Sequence, residues 1–280
     1  MVSLVSLLLH IGPHPDAGWV WDPSVLIGVA LLTGGYMLAV GPLRRRFGWG
    51  ERVPAVRQAA FYLGMLCVFV ALCSPLDSLG DEYLFSAHMG QHMLLTFAAP
   101  PLWLLGVPGW LVKRLVPKGF TRRAANIITH PVAAFLIFNG IMWCWHLPAA
   151  YDLALEHETI HVAEHLMFMA AAVIGWWPVL GPDLPGASRL SEPGQALYLF
   201  ASTFPCTALA AVITLSPVQL YPFYGSASLA YGLPPLLDQT VGGLLMWLPS
   251  DMIFMLAAVI VLYVWLDRSG ERDLALLTQH

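Results

Sequence analysis

Long apolar runs alternate with short polar segments along the whole chain. Seven of these runs are long enough to cross about 30 Å of hydrocarbon as helices, at a rise of about 1.5 Å per residue. The runs are Pro23–Leu43, Val56–Cys73, Phe85–Leu105, Pro131–Leu147, Thr159–Leu180, Gln195–Leu215 and Gln239–Leu266. The pattern predicts an all-α integral membrane protein, with residues 1–280 forming one domain built as a bundle of seven transmembrane helices. The apolar stretch Met1–Ile11 is too short for a span, so we expect it to lie at the membrane interface.

Composition supports this fold class. Hydrophobic residues make up 58% of the chain and charged residues only 11%, which is far too apolar for a soluble domain of 280 residues and gives no basis for a nucleic-acid partner. The four cysteines, among them Cys73, lie in or at the edge of apolar runs. An extracellular disulfide framework is therefore not expected.

The basic residues predict the orientation of the bundle. All 13 Lys and Arg residues fall on the same side of the seven runs. They are Arg44, Arg45, Arg46, Arg52, Arg57, Lys113, Arg114, Lys118, Arg122, Arg123, Arg189, Arg268 and Arg272. The positive-inside rule makes that side cytoplasmic. The N-terminus is then outside, with residues 1–22 as an extracytoplasmic segment, and residues 267–280 form a cytoplasmic tail.

Histidines concentrate at the predicted outer ends of the third, fourth and fifth runs. Six of the ten histidines lie there: His88, His92, His146, His157, His161 and His165. At about 100° per residue, the last three of these share one helix face with Glu164. Imidazole and carboxylate groups facing lipid would each cost on the order of a few kcal/mol, so this face should point into the bundle. Two His-x-x-x-His pairs on separate helices then predict a metal site near the outer face.

Sulfur ligands near these histidines bear on the identity of the metal. Imidazole binds zinc, copper, iron and nickel, whereas thioether and thiolate groups select Cu(I). Met89, Met93, Met169 and Cys73 all adjoin the histidines in sequence or in the predicted bundle. They favour Cu(I), with zinc as the alternative. The structural alternative is that each methionine only packs in the bundle.

Carboxylates mark the same outer side. The predicted outer loops and helix ends contain Asp77, Asp81, Glu82, Asp152, Glu156, Glu158 and Asp238. Such a surface would concentrate cations and could bind a basic partner. Asp251 is a separate case, because it lies roughly 20 Å along the last run from Asp238. An acid at that depth either caps the helix kink at Pro249 or accepts protons that metal ligands release.

Several motifs resemble those of a known family. They are Ser74-Pro75-Leu76-Asp77, Ser86-Ala87-His88-Met89-Gly90-Gln91-His92-Met93, Pro100-Pro101, Gly106-Val107-Pro108, Trp145-His146-Leu147-Pro148 with Tyr151, His161 with Glu164-His165, Trp176-Trp177-Pro178, and Asp238-Gln239 with Gly242-Gly243 and Met246-Trp247. The pattern resembles the polytopic cytochrome c oxidase assembly factors called CtaG, as distinct from the single-span copper chaperone that shares the name. The resemblance implies a multi-pass protein of the bacterial plasma membrane that acts in respiratory chain biogenesis. It further implies copper handling outside the membrane, with haem–copper oxidase subunits or a copper chaperone as partners, and it leaves an oligomer possible.

Two other functions stay open at this point. The stretch His161-x-x-Glu164-His165 has the form in which two histidines hold zinc and a glutamate activates water, as in an intramembrane zinc hydrolase. Histidines of the third and fifth runs could also be axial ligands of a b-type haem. The assembly factor is the favoured interpretation, and it predicts Cu(I) bound by a His/Met/Cys site in a protein that is not an enzyme.

Overall fold

The computed structural model describes residues 17–116, 118–182 and 184–277, with side chains described as far as Ser269. The predicted interfacial stretch Met1–Ile11, and most of the predicted outer segment 1–22, lie outside the described residues. The described chain is helical throughout and contains no β-strand. The predicted all-α fold class is therefore confirmed.

The α-helices are numbered here in chain order. They are α1 Pro23–Leu38, α2 Arg44–Phe47, α3 Ala55–Cys73, α4 Pro75–Glu82, α5 Phe85–Met93, α6 Ala99–Gly106, α7 Gly109–Leu115, α8 Phe120–Ile128, α9 Pro131–Trp145, α10 Pro148–Glu156, α11 Glu158–Leu180, α12 Glu192–Leu215 and α13 Pro235–Leu277. Two π-helical segments, Ala39–Leu43 and Leu94–Ala98, join α1 to α2 and α5 to α6. Two short 3₁₀ helices, Pro222–Tyr224 and Ala227–Tyr231, lie between α12 and α13.

Among the described residues, five helices are long and apolar enough to cross a membrane, and the number rises to seven if each of two bent pairs counts as one span. The five are Pro23–Phe47, Ala55–Cys73, Glu158–Leu180, Glu192–Leu215 and Pro235–Ser269. The bends lie at 99° between Phe85–Gly106 and α7, and at 71° between α8 and α9. α13 is longer than the predicted last span, because it continues through the predicted tail as far as Leu277.

Proline and glycine account for the two π-helical segments. Gly41 leaves helical geometry at φ −98° and ψ −105°, and Pro42 beside it has no N–H to donate. In the second segment, Pro100 and Pro101 follow directly and cannot donate to the preceding turn. The wider π turn accommodates this break within one continuous run. The second segment begins two residues after His92, so the histidine-bearing turn of α5 lies just before it.

Hydrogen bonds between the connecting segments define two ends of the bundle. At one end, the Tyr224 hydroxyl donates to the Gly80 carbonyl at 2.8 Å, and the Tyr221 hydroxyl donates to the His146 carbonyl at 3.0 Å. We call this the histidine end. At the other end, Arg57 Nε donates to the Leu105 carbonyl at 2.9 Å. The side chains of Arg44, Arg114, Arg122 and Arg268 make contacts at that same end, which we call the basic end.

Candidate metal centre

α5 carries His88 and His92, and a buried carboxylate of α13 holds its first turn. The backbone N–H of Phe85 donates to Asp238 Oδ2 at 2.7 Å, and that of Ser86 donates to Oδ1 at 3.1 Å. The Ser86 hydroxyl donates to the same Oδ1 at 2.5 Å. Asp238 thereby satisfies donors that a helix N-terminus leaves unpaired, and its charge complements the positive end of the helix dipole. This contact fixes the height of α5 against α13.

A second acid holds the opposite face of α5. The Gln91 side-chain amide donates to Asp77 Oδ1 at 2.6 Å and to the Ala71 carbonyl at 3.1 Å. Burial raises the pKa of Asp77 to about 6, although the hydrogen bond from Gln91 acts to lower it. Because Gln91 lies between the two histidines in sequence, its hydrogen bonds to Asp77 and Ala71 fix the rotation of α5 about its axis.

Glycines allow two neighbouring helices to approach α5 closely. A Cβ atom on Gly80 of α4 would lie 2.9 Å from His88 Cα. A Cβ atom on Gly242 of α13 would lie 2.4 Å from Phe85 Cδ1. Both distances are far shorter than carbon atoms tolerate, so a side chain at either position would displace α5. The close approach of α13 to α5 thus requires a glycine at position 242.

The first group of possible metal ligands, which we call the inner triad, consists of His88, His92 and His165. Their ligand atoms all lie within 4.8 Å of one another, and all three residues are buried. His88 Nε2 and His92 Nε2 are 2.7 Å apart, so one imidazole can donate and the other accept. The His165 ring, from α11, has its centroid 5.3 Å from that of His92. The inner triad therefore joins α5 to α11 through imidazole groups alone.

The second group, which we call the outer triad, consists of Asp81, His88 and His161. Its ligand atoms also lie within 4.8 Å of one another. Asp81 Oδ1 is 3.8 Å from His88 Nδ1, and Asp81 Oδ2 is 3.6 Å from His161 Nδ1. The Asp81 side chain retains 31% of its exposure, whereas that of His88 has none. Burial raises the pKa of Asp81 to about 8, with further contributions from the charges of Asp77 and Glu82.

Several buried polar atoms without hydrogen-bond partners lie in these two triads. Within the described chain they include His88 Nδ1, His92 Nδ1, His161 Nε2, His165 Nε2 and Asp81 Oδ1. An unpaired buried donor or acceptor costs about 1–3 kcal/mol. A metal ion with imidazole and carboxylate ligands would remove that cost, and this donor set suits copper and zinc. The residues therefore fit a metal.

Glu164 lies directly beside the inner triad. Its Oε1 is 3.9 Å from His92 Nε2, and the residue is only 1% exposed. Neither carboxylate oxygen has a hydrogen-bond partner among the described residues. Glu164 is thus close enough to interact electrostatically with a charge in the inner triad, although it belongs to neither triad.

The remaining predicted histidines lie outside both triads. The His146 ring has its centroid 5.9 Å from that of His92, and its Nδ1 donates to the Met142 carbonyl at 2.7 Å. His146 is therefore a buried neighbour of the site. His157 is exposed at the N-cap of α11, so the sequence pattern on that face extends one turn beyond the clustered side chains.

The predicted sulfur ligands occupy packing positions. Met89 is 1% exposed in the main hydrophobic core, and Met93 packs against the same core. Met169 packs against a smaller core cluster that includes Leu95. Cys73 is fully buried at the end of α3 and belongs to neither triad. The structure thus brings the imidazoles together, whereas the three methionines pack in hydrophobic clusters.

Sequence reasoning assigned Asp81 only to the acidic surface and did not identify it as a ligand. It precedes His88 by seven residues, and the turn between α4 and α5 is what brings the two side chains together. A helical periodicity cannot reveal a contact that depends on the geometry of a turn.

Tyr151 also contacts the site, with its ring centroid 5.2 Å from that of His88. Its hydroxyl lies 2.9 Å from that of Tyr224.

Asp251 has a structural partner in the neighbouring helix. The Thr207 hydroxyl of α12 donates to Asp251 Oδ2 at 2.7 Å. The sequence left open that Asp251 caps the kink at Pro249, but Ser250 is the residue that bonds there. Its hydroxyl donates to the Met246 carbonyl at 2.6 Å. The described contacts of Asp251 therefore link α12 to α13, and they do not reach either triad.

A cavity of about 900 Å³ lies between α1, α3 and α11. Its walls are mainly apolar, with Met65 and Trp103 among them. Asp81, His161 and His165 also line it, whereas His88 and His92 do not. The cavity therefore reaches the outer triad and one edge of the inner triad.

Comparisons with known proteins give a family and three relatives. Residues 34–268 match the family described as cytochrome c oxidase caa3 assembly factor. Uncharacterized proteins of Mycobacterium bovis and Mycobacterium tuberculosis are each 28% identical over 88% of this chain, and one of Mycobacterium leprae is 25% identical over 88%. The match covers 39% of the length of each relative. No solved structure matches the chain.

Proposed function

Because the chain belongs to the cytochrome c oxidase caa3 assembly factor family, we propose that it holds copper in the inner triad for the copper centres of the oxidase. The observation that carries the proposal is the buried cluster of His88, His92 and His165, whose ligand atoms lie within 4.8 Å of one another. Unpaired imidazole nitrogens in that cluster make it unfavourable without a ligand. Copper is the metal that cytochrome c oxidase, the enzyme that this family assembles, requires.

The imidazole ligands of the inner triad change the reason for choosing copper over zinc. The sequence favoured Cu(I) because methionine and cysteine sulfur adjoin the histidines, but the methionines pack in hydrophobic clusters and the inner triad itself consists of imidazoles. Imidazole alone accepts copper and zinc. The preference for copper in this proposal therefore rests on the family, and the triad supplies the holding site.

The protein's own residues orient and protect the site. Asp238 and Asp77 hold α5 from two sides, so His88 and His92 are presented at a fixed height and rotation. Tyr151 covers His88 from the histidine end, and its hydroxyl contacts that of Tyr224 from the segment between α12 and α13. This cover limits the access of water to the inner triad. A copper ion held there would be released only when a partner displaces this cover of Tyr151 and Tyr224.

We place the histidine end on the outer side of the bacterial plasma membrane. In this arrangement each bent helix pair is one of seven spans, and the basic end faces the cytoplasm as the positive-inside rule requires. Oxidase subunits or a copper chaperone would then contact the protein from outside. Carboxylates on that side, including Glu82 and Glu156, would favour a basic docking surface on the partner.

Copper titration of the purified protein in detergent tests this proposal. Under reducing conditions, a competing chromogenic chelator measures Cu(I) affinity for the wild type and for His92→Ala. Loss of a buried ligand should weaken binding by more than about 100-fold, because removal of groups that only orient ligands already costs 10–100-fold. His157→Ala is the matched control, since this exposed histidine lies outside both triads. Unchanged affinity in His92→Ala would refute the inner triad as the copper site.

One observation keeps the zinc hydrolase as a second candidate. Glu164 is buried with both oxygens unpaired beside His92, where a general base would be expected. His161 and His165 belong to different triads, but their ring centroids are only 4.2 Å apart, so both could bind one zinc ion as the motif requires. Glu164→Gln separates the candidates, because it would stop the cleavage of lipid esters or amides but would leave copper bound.

The haem alternative has less support, because Phe168 fills the space beside His92, with ring centroids 4.6 Å apart.

A further inference from the structure

His88 presents its two ring nitrogens to two different groups of ligands. Its Nε2 lies 2.7 Å from His92 Nε2 in the inner triad. Its Nδ1 lies 3.8 Å from Asp81 Oδ1 in the outer triad and has no hydrogen-bond partner. An imidazole can bind a metal through either nitrogen. A single fully buried side chain is thus shared by two possible metal positions.

We propose that the protein has a second cation position, formed by Asp81, His88 and His161, and that His88 bridges it to the inner triad as an imidazolate, whose N–H proton passes to solvent when the second cation binds. The inference rests on the proposed function, because it adds a position to the same site. Two cations would then lie on opposite sides of one imidazole ring. Metal could pass from one position to the other by exchanging the nitrogen of His88 to which it is bound.

The two positions differ in their access to the surroundings. The side chains of Asp81 and His161 are 31% and 12% exposed, and both line the 900 Å³ cavity. Of the inner triad, only His165 lines the cavity, whereas His88 and His92 are 0% and 3% exposed and do not. A cation that arrives through the cavity meets the outer triad first. The outer triad is therefore the loading position, and the inner triad is the storage position behind it.

The two positions also differ in donor chemistry. The outer triad combines a carboxylate with two imidazoles, which is a hard-to-intermediate donor set that suits a divalent cation such as Zn²⁺ or Cu²⁺. The inner triad offers three histidine side chains and no carboxylate. Removing the carboxylate charge should therefore weaken the outer position strongly and the inner position little. This difference makes Asp81 the residue that distinguishes the two positions.

Zinc stoichiometry tests the bridge, with Zn²⁺ as the probe and calorimetric titration plus elemental analysis as the readouts. The wild type should bind two equivalents. Asp81→Asn should lose one equivalent and keep the inner position, and His92→Ala should lose the other. His88→Ala should lose both, because it removes the shared ligand. Glu82→Gln is the matched control, since it neutralises the adjacent exposed acid outside the triads.

Each outcome has a distinct meaning. One equivalent in the wild type, lost in His92→Ala and unchanged in Asp81→Asn, would overturn the second position but leave the proposed function intact. No tight metal binding by the wild type would overturn both. If Asp81→Asn does not accumulate in the membrane, His161→Ala removes an outer ligand independently and must give the same single equivalent. Retention of two equivalents in both variants would refute the outer triad.

Discussion

At the level of single residues, the buried and half-buried acids at the histidine end form two groups. In one group the carboxylate oxygens accept hydrogen bonds, and in the other a buried oxygen has no partner. Asp238 accepts three hydrogen bonds, and Asp77 accepts one from Gln91. Asp81 and Glu164 have buried oxygens without a partner. An acid with donors stabilises the fold, whereas an acid without donors either stays protonated or binds a cation, because a buried unpaired charge is costly. This distinction separates the supporting residues from the candidate binding residues.

The substitution Asp238→Asn tests the supporting role. Asparagine keeps the shape but has only one acceptor oxygen, so at least one donor at the start of α5 loses its partner. We expect the free energy of unfolding to fall by about 1–3 kcal/mol, measured as a lower midpoint of thermal unfolding in detergent. Asp22→Asn is the control, because Asp22 caps α1 in exposed surroundings and Asn caps helices equally well. An equal effect of both substitutions would argue against a special role for Asp238.

At the level of helices, apolar run length predicts position well, but bends and loop contacts escape it. The second run was predicted as Val56–Cys73, and α3 covers Ala55–Cys73, because hydrocarbon thickness sets the length of such a run. The 99° bend before α7 depends on packing at the basic end. The placement of Tyr224 against Gly80 joins residues 144 positions apart. No local pattern encodes such a contact.

The candidate site likewise combines residues that the sequence predicted with contacts that it could not predict. His88, His92, His161 and His165 could be identified because an i, i+4 spacing on a helix is a local property. The choice between ligand and packing for Met89 depended on which face α5 turns toward α11, and that rotation is set by Asp77 and Asp238. Asp81 was missed as a ligand for a related reason. Its position relative to His88 depends on the turn between two helices.

Gly80→Ala tests whether close packing of α4 against α5 maintains the site. The added methyl group would lie 2.9 Å from His88 Cα, so α5 must shift. We expect Cu(I) affinity to fall by about 10–100-fold, as for loss of a group that orients a ligand, together with a lower unfolding midpoint.

The matched control for Gly80→Ala is Gly90→Ala on α5 itself. The nearest atom to a Cβ there is Leu76 Cδ1 at 3.7 Å, which is an ordinary contact. Alanine also favours the helix by about 0.5–1 kcal/mol over glycine. Gly90→Ala should therefore keep full copper affinity with equal or higher stability. If Gly80→Ala also binds copper normally, the histidines do not depend on this packing.

At the level of the whole molecule, the two ends differ in chemistry. The basic end holds the described Lys and Arg contacts, whereas the histidine end holds the acids, the triads and the tyrosine cover. The proposed orientation predicts that reporter fusions after Arg46, Arg189 and His280 behave as cytoplasmic. Fusions near Leu79, Glu156 and Ser226 should behave as external. An external signal after Arg46 would place the triads on the cytoplasmic side and exclude copper delivery from outside.

The proposed role in the cell follows from the family and the triads together. Deletion of the gene should leave the oxidase polypeptides in the membrane but deficient in copper, because assembly without a holding site depends on free copper alone. Added copper should then restore part of the respiration. Copper per oxidase, measured by elemental analysis of the purified enzyme, is the readout. Reintroduction of His157→Ala should restore it fully, since that histidine lies outside the triads, whereas His92→Ala should not. A fully metallated oxidase in the deletion strain, or full rescue by His92→Ala, would contradict copper handling by this protein.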